Sequence, residues 1–208
     1  MNELSPTFGQ NLRSIVFSSE STTRLKGASA KFPSENVKEN IQSDLEALHA
    51  RVRKQFGYKR KDIEFDLSEP EVGRLRTPDF EYRLRATIGD ERNAEVTWVR
   101  EFDLLNRSAP LSDRRTLDLL GDELDTITLT FSTPLDIADV IDRIEDVEPP
   151  DVDLEYDLQC RWCELSLKGV PAVLRLEGSE LKLRRQAGRQ IQVDEMLAMI
   201  EPRRFGLA

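Results

Sequence analysis

The chain predicts an α+β fold: an antiparallel sheet with helices packed on one face, built as two tandem β-α-β4-α pseudo-repeats. Three observations predict it. Several short segments alternate apolar and charged residues, as "FEYRLRATIG" does at 80–89. Period two with polar residues on one side marks antiparallel strands covered on the other. A longer segment instead carries one apolar stripe at helical spacing. The hexapeptide "DIEFDL" at 62–67 returns as "DLEYDL" at 153–158, at the same place in the order of elements.

Taken in order, "LRSIVF" (12–17) reads as a short strand. The polar run 18–34 has no period and is expected to be a flexible loop. Ser34 is expected to cap the helix that follows, with Glu35 in its first turn. Val37, Ile41, Leu45, Leu48, Val52 and Phe56 form the apolar face of that helix. Arg51, Arg53 and Lys54 suit the negative end of its dipole, and Gly57 suits a left-handed stop. Strands follow at 62–67, with Ile63, Phe65 and Leu67 inward, at 80–89, with Phe80, Tyr82, Leu84 and Ala86 inward, and at 93–102, with Val96, Trp98 and Phe102 inward. A short helix at 112–121 closes the first half.

The second half opens with the strand "TITLTF" (126–131) and a helix at 132–147. Thr133 is expected to cap that helix and Pro134 to take its first position. Four short strands are expected near 152–159, 162–168, 171–177 and 179–185, then a helix near 192–201. The halves divide as 1–121 and 122–208, or form one continuous domain. This order of elements is similar to TATA-binding-protein-like and helix-grip architectures. The similarity is one of topology and carries no function.

Composition narrows the function. Two cysteines rule out a disulfide framework. No apolar run approaches about 18 residues, so a cytoplasmic protein without a membrane partner is expected. The net charge of −9 disfavours nucleic acid as a partner. Charge is segregated: residues 1–60 carry ten Lys and Arg against six Asp and Glu, whereas residues 118–158 carry fourteen acids and one base. The acidic block fits a protein partner with a basic surface, or a homodimer.

Chemistry-bearing residues are few. Asp62, Glu64 and Asp66 share a strand face, as do Asp151, Asp153, Glu155 and Asp157. Side chains at i and i+2 of a strand lie about 7 Å apart, too far for tight shared coordination. Solvated pairing with Arg83 and Arg85, or with Lys168, Arg175, Lys182 and Arg184, is the expected use. "CRWC" (160–163) has redox or half-zinc spacing, but His49 is the only histidine and no other cysteine exists. No nucleophile is paired with a base, and no glycine-rich phosphate loop occurs. No cofactor, metal site or catalytic residue is therefore assigned. The expected function is a non-enzymatic interaction protein that uses a curved sheet surface, with a protein as partner. The alternative is a small-molecule-binding protein or enzyme with a pocket between sheet and long helix. Candidate pocket or surface aromatics are Phe65, Tyr82, Trp98, Tyr156 and Trp162.

Overall fold

The computed structural model describes residues 12–26, 30–89, 95–105, 124–147, 152–167 and 169–186. They form a mostly antiparallel sheet of ten strands with two helices. The elements are β1 (Leu12–Arg24), α1 (Pro33–Phe56), β2 (Glu64–Glu69), β3 (Val72–Arg76), β4 (Phe80–Ile88), β5 (Glu95–Leu104), β6 (Thr126–Phe131), α2 (Ile137–Val147), β7 (Val152–Asp157), β8 (Trp162–Leu167), β9 (Ala172–Glu177) and β10 (Glu180–Arg185). The strand order is β2-β3-β4-β5-β1-β6-β10-β9-β8-β7. The chain divides into a first unit, Ser18–Asn106, and a second unit, Met1–Phe17 with Arg107–Ala208. The helices expected at 112–121 and 192–201 lie outside the described residues.

In the first unit the apolar stripe of α1 is its buried face: Val37, Ile41, Leu45, Leu48 and Val52. The helix packs on β3 and β4. Gly73 makes the approach close, because a Cβ there would overlap Ile41 Cγ2 and lie 2.8 Å from Leu45 Cδ1. Gly57 ends α1 in the left-handed conformation at φ 71°, and its N–H bonds Arg53 O at 3.0 Å. The helix starts one residue before the expected cap. Pro33 takes the first turn, and neither Ser34 nor Phe32 supplies a side-chain cap. An aromatic series then runs through the core, from Phe56 to Phe80 (5.8 Å), Phe80 to Phe102 (5.8 Å) and Phe102 to Tyr82 (4.7 Å).

The expected loop at 18–34 is corrected in its first part: Ser18–Arg24 continue β1. Its side chains face polar partners. Trp98 Nε1 donates to Thr23 Oγ1 at 2.7 Å, Arg100 Nη1 donates to Ser21 Oγ at 3.2 Å, and the Thr22 and Thr97 hydroxyls meet at 3.5 Å. A strand that answers hydroxyls and indole N–H groups needs no apolar alternation, so the period-two signal is missing.

In the second unit Ile127, Leu129, Leu174, Leu176, Leu181 and Leu183 are fully buried, and Ile137, Val140 and Ile141 of α2 are buried with them. Asp136, not Thr133, caps α2: its Oδ1 accepts the N–H of Ala138 at 3.1 Å and of Asp139 at 3.4 Å. Pro134 accordingly precedes the helix.

Candidate functional site

Each unit presents a sheet face that no described helix covers. Register fixes what lies on it. In the first unit β2, β3, β4 and β5 align Glu64–Arg76–Glu81–Asp103 in one row and Asp66–Arg74–Arg83–Glu101 in the next. The second row is closed by ion pairs. Arg74 meets Asp66 at 3.0 Å and Glu69 at 2.7 Å, and Arg83 meets Glu81 at 3.2 Å and Glu101 at 3.6 Å. Arg85 meets Glu101 at 3.3 Å. Such exposed pairs contribute only about 0–1 kcal/mol each, but they leave this face largely self-neutralised. The partner expected for Asp66 was Arg83 or Arg85. It is Arg74, because β3 lies between β2 and β4.

The second unit's open face differs. Its rows are Thr126–Arg184–Val173–Ser166–Asp153, Thr128–Lys182–Arg175–Glu164–Glu155 and Thr130–Glu180–Glu177–Trp162–Asp157. Hydroxyls lie on β6, Lys182, Arg184 and Arg175 lie on β10 and β9 beside Glu180 and Glu177, and acids lie on β8 and β7. Arg175 meets Glu177 at 3.1 Å and Glu164 at 3.7 Å, and its guanidinium sits 4.8 Å from the Trp162 ring centre. Arg185 is bound to Asp125. Lys182 and Arg184 are exposed and have no ion-pair partner among the described residues. A concavity of about 510 Å³ is lined by Glu164, Val173, Arg175, Lys182, Arg184, Arg185 and Gln186.

The five aromatics singled out in the sequence are not brought together. Tyr82 and Trp98 are core residues, and the Tyr82 hydroxyl donates to Asp44 Oδ2 at 2.7 Å. Phe65, 42% exposed, stands on β2 and makes an edge contact with His49 at 5.1 Å. Tyr156, 48% exposed, stands on β7. Only Trp162 lies on an open face. Phe65 and Leu67 are thus less covered than their alternation predicts, because β2 is the outermost strand of its unit. His49 is held below the ordinary histidine range, first by burial and then by Arg53 and Arg60. It is neutral near pH 7.

The two copies of the hexapeptide share a turn chemistry. Asp66 Oδ1 accepts the Ser68 N–H at 2.9 Å; Asp157 Oδ1 accepts the N–H of Gln159 at 2.8 Å and of Cys160 at 3.0 Å. Bonds from Ser68, then Arg74, hold Asp66 below the usual carboxylate range. Bonds from Cys160 and Gln159 do the same for Asp157. Side chains of this kind close the chain on itself where a strand ends.

Cys160 sits exposed in the β7–β8 turn and Cys163 is buried in β8. Asp157 pushes the Cys160 thiol up, and burial pushes Cys163 up to about 11. Both shifts oppose the thiolate that a reactive cysteine needs. No group of three or more metal-ligating side chains occurs among the described residues. One thiol is expected to react with a disulfide reagent at pH 8 in the folded protein, and the second only on unfolding. Asp157→Asn is expected to speed the first. Fast labelling of both native thiols would contradict this assignment.

No helix among the described residues is long and apolar enough to cross a membrane. No protein-family profile matches the chain, and no curated protein matches it significantly.

Proposed function

We propose that the protein is a non-enzymatic interaction module that docks another protein on an open sheet face. One observation carries this reading: on β8–β10 Lys182 and Arg184 are exposed and have no ion-pair partner among the described residues, on a face where the neighbouring Arg175 has acidic partners. Charges left unpaired on a rigid sheet are available to a partner at no cost in broken internal pairs. Packing under α1 supports a surface reading over a ligand held between sheet and helix. There Gly73 admits Ile41 and Leu45 against the β3 backbone.

We infer, further, that the chain is an internal repeat of a β-α-β4 unit. Two features support it. The two runs of strands read the same way, β1-β5-β4-β3-β2 and β6-β10-β9-β8-β7. The hexapeptides overlap β2 and β7, corresponding strands, and Asp66 and Asp157 make corresponding turn bonds.

A photo-crosslinking residue at Thr128 or Lys182 tests the docking reading against one at Glu46, on the exposed side of α1. One discrete protein adduct from the sheet positions and none from Glu46 is expected in native lysate. Equal capture at all three positions, or none at any, would overturn it.

A further inference from the structure

We propose that the open face of β8–β10 receives an extended acidic segment of the protein partner, with carboxylates at alternate positions. This inference rests on the docking reading above and adds the partner's chemistry. Lys182 and Arg184 are two residues apart on β10 and point to the same side. That spacing is about 7 Å. An extended peptide repeats its side chains on one side at the same interval, so carboxylates at i and i+2 meet both cations in register.

The surroundings favour that occupant. Arg175 is held in place by Glu164, Glu177 and the Trp162 ring, so it borders the cation pair as a fixed wall. Thr126 and Thr128, beside Arg184 and Lys182 in register, add hydroxyl donors. The concavity of about 510 Å³ is lined by Lys182 and Arg184 together with Arg175 and Glu164. The corresponding face of the first unit offers no such pair of cations: Arg74, Arg83 and Arg85 are each bound to a carboxylate, and Arg76 stands between Glu64 and Glu81 in register.

A nucleic acid fits less well. Its backbone is tracked by a run of cations, and its bases stack on free aromatic faces. Here the Trp162 ring carries Arg175, and the chain as a whole carries a net charge of −9.

The test is fluorescence anisotropy of a labelled peptide that alternates Glu and Thr, titrated with the full chain. An alternating Lys and Thr peptide and an oligothymidylate serve as comparators. Binding of the acidic peptide is expected, weakened roughly tenfold between low and physiological salt. Lys182→Ala with Arg184→Ala should weaken it at least about tenfold, as expected for loss of two charge-assisted contacts. Arg76→Ala, on the first unit, should leave it unchanged. All three substituted sites are exposed, and an unchanged melting temperature confirms the fold of each variant. Absence of acidic-peptide binding, or binding that survives the double substitution, overturns the proposal. So does tighter binding of the oligothymidylate. Crosslinks from Thr128 with no acidic-peptide binding would leave the docking reading standing and remove this one alone.

Discussion

Gly73→Ala is expected to destabilise the protein by about 2 kcal/mol, read as an earlier urea midpoint. A methyl in place of hydrogen on a strand normally helps, by about 0.5–1 kcal/mol of unfolded-state entropy. Here the new Cβ would overlap Ile41 Cγ2 and lie 2.8 Å from Leu45 Cδ1. Both partners are buried on α1. Relief requires α1 to lift from β3 or its side chains to leave their rotamers, and overpacking of this kind costs about 1–3 kcal/mol. The second half of the test is rescue. Ile41→Leu deletes the offending Cγ2 at nearly constant volume, and alone costs less than about 1.5 kcal/mol. Added to Gly73→Ala it should recover part of the loss, giving a coupling of about 1 kcal/mol in a double-mutant cycle. A Gly73→Ala protein as stable as the parent would mean that α1 does not approach β3 this closely.

That close approach was only half visible in the sequence. The stripe on α1 was plain, because a helix with one buried face must place apolar residues at three- and four-residue steps, and Val37 through Val52 do so. Its seat was not. β3 reads "VGRLR", with a glycine where an inward apolar residue is expected, so it sends no alternating signal. Missing β3 also misassigned the carboxylates: Asp66 reaches Arg74 on the intervening strand. The same limit hid Ser18–Arg24, whose partners are the side chains of Thr97, Trp98 and Arg100 rather than apolar groups. The strands of the second unit were easier to read, since Leu174, Leu176, Leu181 and Leu183 alternate with charges. What sequence could not supply there was register. Which cations are neutralised and which are left over depends on the row each occupies, and rows follow from strand pairing, not from spacing along the chain. Lys182 and Arg184 look no different from Arg175 until β9 and β8 are placed beside them.

Tyr82→Phe is expected to remove about 1.5 kcal/mol of stability at pH 7, because a hydrogen bond to a carboxylate contributes roughly that much. The ring stays packed against Phe102, 4.7 Å away, so the loss isolates the hydroxyl. Its pH dependence separates this bond from ordinary packing. Burial first, and Asp44 next, push the Tyr82 phenol well above its ordinary value of about 10, while Arg100 opposes them. The folded protein therefore keeps the phenolic proton over a range in which the unfolded chain releases it. The stabilisation is complete below about pH 10 and is lost as pH rises, at about 1.4 kcal/mol per pH unit. The phenylalanine variant has no such proton. The stability difference between parent and Tyr82→Phe should be constant from pH 7 to about pH 10, then shrink and change sign near pH 11. A difference that stays constant through pH 11 would show that Tyr82 ionises as readily in the folded as in the unfolded protein. The burial of the Tyr82 ring and its bond to Asp44 would then not protect the phenolic proton.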